Sequence, residues 1–207
     1  MEHLLNSPPE ARALLVLAHG AGAGMKHPFL ERIAQTFASK DIATFRYEFP
    51  YMQSKKSRPD PPAIAEAAVR AAVAEAARFA PGVPIFAGGK SFGGRMTSQA
   101  QSSQPMPGVR GLVFLGFPLH PPGKPGVSRA EHLTSVDVPM LFLQGTRDEF
   151  AQLDLLRQVV GGLGDRATLH VIEEGDHSFK VPKRTGKNEA DVMDELADTF
   201  LRWAINV

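Results

Sequence analysis

The segment AGGKSFGG, residues 87–94, follows a short apolar run and has two interpretations. Its first half contains GGKS, the end of a phosphate-binding loop, in which the lysine would contact a nucleotide. Its second half contains Gly89-Lys90-Ser91-Phe92-Gly93, a G-x-S-x-G pattern in which Ser91 would be a nucleophile. The two interpretations require different loop geometry, so the neighbouring residues distinguish them.

A phosphate-binding loop needs the pattern G-x-x-x-x-G-K-[ST], because several loop N–H groups must wrap around the phosphates. Counting back from Gly89 and Lys90, the first glycine of that pattern would occupy the position of Pro84, which has no N–H. A nucleophile elbow needs a strand that turns sharply into a helix, and glycines beside the serine avoid the clash of a Cβ. The sequence therefore favours the nucleophile elbow.

Short apolar runs bounded by turn residues predict six strands that are covered on both faces. The runs are residues 14–18, 43–47, 84–87, 112–115, 140–143 and 169–172. Helical patterns lie between them, at residues 27–40 and 62–80 and from about residues 91, 152 and 188 onward. This alternation predicts one domain over residues 1–207, an α/β fold of three α/β/α layers with a mostly parallel sheet of about six to seven strands.

Two of the predicted helices have apolar faces that should pack on the sheet. In the helix over residues 62–80 the face is Ile64, Ala68, Ala72, Ala76 and Phe79. In the last helix it is Val192, Leu196, Phe200 and Trp203.

The composition indicates a soluble globular protein. Of the 207 residues 43% are hydrophobic and 22% are charged, and the net charge of +1 gives no electrostatic reason to expect nucleic-acid or membrane binding. The absence of cysteine excludes disulfides, thiolate zinc sites and cysteine nucleophiles. The N-terminal residues do not resemble a secretory signal, and no apolar run approaches the ~20 residues of a membrane span, so we expect a cytoplasmic protein.

A serine nucleophile needs a base, and the base needs an acid that orients it. Asp148 follows the run at 140–143 in QGTRDEF, and His177 follows the run at 169–172 in EGDHSF. Ligands bind at the carboxyl ends of parallel strands, so both side chains are predicted to meet Ser91 there. Two alternatives remain for the acid if the strand boundaries shift, Asp137 and Asp154.

The segment HGAGAG, residues 19–24, follows the first predicted strand, and its small residues would let the backbone approach a substrate. We expect an oxyanion hole formed by the N–H groups of Phe92 and Ala21, with Gly22 as the next choice after Ala21. His19 is expected to orient this loop. Lys90 is expected to point to solvent or to the rim of the cleft, without a chemical role.

Further residues near the strand ends are candidates for substrate binding. They are His19, Gly22, Tyr51, Phe117, His120 and Phe179. The predicted chemistry needs neither a metal nor an organic cofactor.

The motifs HGAGAG, GGKSFGGR, QGTRDEF and GDHSF resemble those of small, lidless members of the α/β-hydrolase superfamily, near the dienelactone-hydrolase-like branch and a group of uncharacterised α/β-hydrolase-like proteins. The resemblance runs from about Leu14 to the C-terminus. It implies a minimal α/β-hydrolase fold without a lid and without the extra N-terminal antiparallel strands of larger hydrolases. Dienelactone hydrolases use a cysteine nucleophile, which this chain lacks.

The resemblance implies a serine hydrolase that cleaves an ester or thioester of a small acyl compound through Ser91, Asp148 and His177. Relatives of the same group occur as domains of eukaryotic regulatory proteins. The alternative is therefore a binding or scaffold protein that keeps the hydrolase fold with little or no turnover.

Overall fold

A computed structural model describes residues 2–207 and contains one seven-stranded sheet with helices on both faces. The strands are β1 (His3–Asn6), β2 (Ala13–Ala18), β3 (Ile42–Tyr47), β4 (Ile85–Lys90), β5 (Val109–Leu115), β6 (Met140–Gly145) and β7 (Ala167–Ile172). Their order is β1-β3-β2-β4-β5-β6-β7. All neighbouring pairs are parallel except β1 and β3, so the predicted fold class is confirmed.

The helices are α1 (Pro28–Ala38), α2 (Pro50–Gln53), α3 (Pro62–Phe79), α4 (Phe92–Ser103), α5 (Leu153–Leu163) and α6 (Glu189–Ala204). Short 3₁₀ helices lie at Ser128–Ser135, Gly164–Arg166 and Lys183–Thr185. Along β2, Leu14 and Val16 pack in the core formed with α3, α4 and α5. The alternate residues Leu15 and Leu17 pack in the core formed with α1 and α6. A sheet buried on both faces explains why its strands read as continuous apolar runs.

The strand order places the loops after β2 and β4 side by side. From β2 the chain moves outward to β3 and then returns to β4 on the other side of β2. Open α/β sheets bind ligands at such a switch point, outside the carboxyl ends of the strands. The two loops there are HGAGAG and the turn at Ser91.

The expectation that the N-terminus adds no antiparallel strand is wrong, because β1 pairs antiparallel with β3. This strand is only four residues long and lies at the edge of the sheet, so it has no long apolar pattern to reveal it. Its contacts come from distant residues. Arg46 donates a hydrogen bond to Asn6 Oδ1 at 3.0 Å, and the ring of His3 stacks on Phe45.

The apolar face predicted for α3 is partly wrong. Ala68, Ala72 and Ala76 are buried as expected, but Ile64 is 47% exposed and Phe79 is 45% exposed. The buried face is completed instead by Ala65, Val69 and Val73. Small side chains on this face allow α3 to lie close to α4 and the sheet, and the bulkier residues fall at its margin. The predicted face of α6 is confirmed, since all four of its residues are buried.

No helix within residues 2–207 is long and apolar enough to cross a membrane. Within the same range, no group of three or more His, Asp or Glu side chains is placed to hold a metal ion.

Candidate active site

Ser91 occupies a strained turn between β4 and α4. Its backbone has φ 50° and ψ −115°, a conformation that is costly for a residue other than glycine. Although Ser91 is the N-cap residue of α4, its side chain makes no capping hydrogen bond. The side chain instead lies at the wall of a cavity. Ser91 therefore does not act as an ordinary N-cap serine. Backbone strain of this kind is typical of functional sites.

Glycines beside Ser91 make this turn sterically possible. A Cβ on Gly89 would lie 2.5 Å from the carbonyl oxygen of Ala18, and one on Gly93 would lie 2.5 Å from that of His19. Both contacts are with backbone atoms at the end of β2 or directly after it, which have little freedom to move. The G-x-S-x-G spacing thus follows from the close packing of β4 and α4 against the end of β2.

Asp148 and His177 form a hydrogen-bonded pair at the same end of the sheet. Asp148 follows β6 and His177 follows β7, and His177 Nδ1 lies 2.7 Å from Asp148 Oδ2. The side chain of Asp148 is fully buried, whereas that of His177 is 19% exposed. With Nδ1–H donating to the carboxylate, a neutral His177 carries its lone pair on Nε2. His177 and Ser91 line the same cavity.

The alternative acids lie elsewhere in polar contacts of their own. Asp137 accepts a hydrogen bond from Gln101, and Asp154 pairs with Arg157 on the exposed side of α5. His170 and His132 also have other partners, Glu195 and Ser98 respectively.

Gln144 is a further polar residue of this site that the sequence interpretation missed. Its Nε2 donates to Asp148 Oδ2 at 2.5 Å, and its Oε1 accepts from Phe117 N at 2.9 Å. The other carboxylate oxygen of Asp148 accepts from Phe150 N at 2.8 Å. Together these bonds fix the orientation of the carboxylate that faces His177. The sequence feature that could have predicted the role of Gln144 is that it is the single amide side chain in the otherwise apolar strand β6.

The loop after β2 approaches Ser91 with its backbone. Gly20, Ala21 and Ala23 line the cavity beside Ser91. Gly22 N–H donates to the hydroxyl of Tyr51 at 3.2 Å, so this alternative oxyanion donor is already engaged. Phe92 is the first residue of α4, and N–H groups in the first turn of a helix have no partner within the helix.

His19 holds this loop from behind. It is completely buried, its Nδ1 bonds to Gly20 O at 2.9 Å, and its Nε2 accepts from Phe49 N at 3.0 Å. Burial lowers the pKa of His19 to about 4, so the ring is neutral at pH 7. These contacts agree with the expected orienting role.

Residues 11–205 match the model of a family described as alpha/beta hydrolase domain. The chain belongs to this family. Three solved structures of similar fold are each 18% identical to it in sequence. A serine hydrolase homologue from Coxiella burnetii has a TM-score of 0.74, and the match covers 97% of this chain and 89% of that one. Dienelactone hydrolase from Anabaena variabilis and a serine hydrolase without a lid from Xanthomonas campestris both have a TM-score of 0.73; the matches cover 99% and 97% of this chain, and 90% and 88% of those chains, respectively. The predicted resemblance to lidless α/β-hydrolases is confirmed.

The cavity of this alpha/beta hydrolase domain has a volume of about 280 Å³. Besides the residues already described, it is lined by His27, Phe29, Leu30, Lys90, Phe150 and Ser178. The ring of Phe150 lies 4.3 Å from that of His177. Residues at the start of α1 were not predicted here, although only three residues separate α1 from the glycine-rich loop that lies beside Ser91.

None of the six residues predicted to bind substrate lines this cavity. His19, Tyr51, Phe117, His120 and Phe179 are all buried, and Gly22 also lies outside the lining. They pack and connect the loops instead. His120, for example, accepts a hydrogen bond from Gln152 N at 2.9 Å while its Nδ1 bonds to Pro121 O.

The expectation that Lys90 points to solvent or to the cleft rim is also wrong. Its Nζ is buried and has no hydrogen-bond partner. Burial lowers the pKa of Lys90 to about 8, with the nearby carboxylates of Asp148 and Asp176 opposing the shift. The apolar ring of Phe179 lies 5.9 Å from Nζ. Packing of the loops after β5, β6 and β7 covers this amine.

Proposed function

We propose that this protein is a serine hydrolase that cleaves an ester or thioester of a small acyl compound. The observation that carries the proposal is the strained Ser91, which shares one cavity with His177, and His177 is hydrogen-bonded to the buried Asp148. This combination supplies a nucleophile, a base and an orienting acid in the order along the chain that is typical of the fold.

In the proposed reaction His177 Nε2 takes the hydroxyl proton of Ser91 as Oγ attacks the acyl carbon. The N–H groups of Phe92 and Ala21 stabilise the negative oxygen of the tetrahedral intermediate. His177 then protonates the leaving alcohol or thiol, and an acyl-enzyme remains on Ser91. Water, deprotonated by His177, attacks the acyl carbon, and collapse of the second intermediate releases the acid and restores Ser91. Asp148 stabilises the imidazolium in both steps.

The cavity supports a short acyl group. Its volume of about 280 Å³ is just below the ~300–1,000 Å³ usual for small-molecule sites. Phe29, Leu30 and Phe150 give it apolar walls suited to a small aliphatic or aromatic acyl chain. The near-zero net charge favours such a small molecule over nucleic acid or a membrane surface as the partner.

We expect the purified protein to hydrolyse p-nitrophenyl acetate and butyrate with higher kcat/KM than p-nitrophenyl octanoate and laurate. Acetyl and butyryl thioesters of coenzyme A, followed by thiol release, distinguish thioesterase from esterase activity. The Ser91→Ala variant, measured in parallel, gives the background rate of hydrolysis. Turnover of every compound at the level of that variant would contradict the proposal and would favour the alternative, a hydrolase-fold scaffold.

A further inference from the structure

Lys90 is the last residue of β4, immediately before Ser91, and its amine lies near the Asp148–His177 pair. Lys90, Asp148 and His177 all approach Gly116, the residue directly after β5. A methyl group at Gly116 would lie 3.0 Å from Lys90 Nζ, 3.3 Å from Asp148 Oδ2 and 3.4 Å from His177 Nδ1. The three polar atoms therefore surround the same small volume, which a glycine leaves open.

The amine of Lys90 interacts with Asp148 through space and not through a hydrogen bond. Asp148 already accepts hydrogen bonds from His177, Gln144 and Phe150 N, and Lys90 Nζ bonds to none of its neighbours. The other charged group that acts on the amine is Asp176, in the loop after β7. Toward the glycine-rich loop the lysine stem lies beside Gly20, where the nearest titratable ring, His19, is neutral at pH 7.

Charge at Lys90 therefore affects proton transfer at Ser91. When His177 takes the proton of Ser91 it becomes positive, and an ammonium buried close to it opposes that charge with little solvent screening. A neutral amine does not oppose the positive charge on His177. Asp148 favours the positive imidazolium, so the net field at His177 depends on whether Lys90 holds its proton.

We propose that Lys90 is a positioning residue that restrains His177 as a base while it is charged and releases it when it loses its proton. The inference rests on the proposed serine-hydrolase function. It predicts that kcat/KM of the wild-type protein rises with pH in two steps, the first from His177 and the second from Lys90. Since the pKa of Lys90 is lowered to about 8, the second rise falls near that pH.

The test is Lys90→Met, which keeps an unbranched side chain of similar length and removes the charge. We expect a single rise of kcat/KM for p-nitrophenyl acetate, with a midpoint roughly one pH unit above the first rise of the wild type. The variant should be a few-fold faster than the wild type near pH 7, because about a tenth of Lys90 is already neutral there and the rise of the variant comes at higher pH, and equal to the wild type near pH 10. Lys180→Met is the matched control, because Lys180 is an exposed lysine of the loop that carries His177. It should keep both steps.

A second measurement does not depend on turnover. The ring nitrogens of His177 are titrated by ¹⁵N NMR in the wild type, Lys90→Met and Lys180→Met, after circular dichroism has established that each is folded. We expect the titration of His177 to move up by roughly one pH unit in Lys90→Met alone. An unchanged titration would overturn the role of Lys90. If the titration of His177 shifts in Lys90→Met but the wild-type protein hydrolyses no ester, the coupling between Lys90 and His177 is supported and the proposed function is overturned.

Discussion

Replacing Ser91 by alanine should lower kcat/KM for p-nitrophenyl acetate by roughly 10⁴-fold or more, because the reaction then has no nucleophile. His177→Ala should cause a loss of similar size, since without its base the serine hydroxyl is a weak nucleophile. The double variant should be no slower than either single variant, because the two residues act as one unit. Steady-state kinetics with circular dichroism of each variant gives the comparison.

The matched control for these variants is Ser102→Ala, a serine-to-alanine change within α4, the helix that follows Ser91. It should keep wild-type kcat/KM. Two results would contradict the assignment: a folded Ser91→Ala protein that retains more than about a tenth of the activity, or a double variant that loses the product of the two single effects.

The largest effect on stability is expected for Gly88→Ala. An added Cβ would lie 1.9 Å from the carbonyl oxygen of Val113 and 2.8 Å from its carbon. Both atoms belong to the backbone of β5, paired with β4 near the middle of the sheet, so relief requires the two strands to separate. We expect the free energy of unfolding in urea to fall by roughly 3 kcal/mol or more, or the variant to fail to fold.

Gly161→Ala in α5 is the matched control for this substitution. Its added Cβ would have no neighbouring atom within 4 Å. Alanine is favoured over glycine inside a helix, so the variant should gain about 0.5–1 kcal/mol. A Gly88→Ala protein as stable as this control would show that β4 and β5 are not packed as described.

The order of elements and the position of Ser91 could be predicted from the sequence because each depends on a local pattern. Buried strands appear as apolar runs, and a strand followed by G-x-S-x-G has few other uses. Asp148 and His177 could be placed because each follows such a run. The edge strand β1 was missed because its stability comes from residues far along the chain, including Arg46.

The direction of side chains at the strand ends could not be predicted in the same way. Tyr51, Phe117 and His120 lie near the correct edge of the sheet, but loop packing turns them into the protein. The expected exposure of Lys90 was wrong for a related reason, because lysine is rarely buried and an exposed position is the usual expectation for it. Its burial results from Gly116 and Phe179, which belong to loops after other strands.

The central claim is that Ser91 is an activated nucleophile, and labelling with a fluorophosphonate probe tests it most directly. Purified protein is treated with the probe, digested and analysed by peptide mass spectrometry. We expect a covalent adduct on Ser91 in the wild-type protein and in Ser102→Ala, and its loss in His177→Ala. A folded wild-type protein that forms no adduct, or forms it at another residue, would show that Ser91 is not the activated nucleophile.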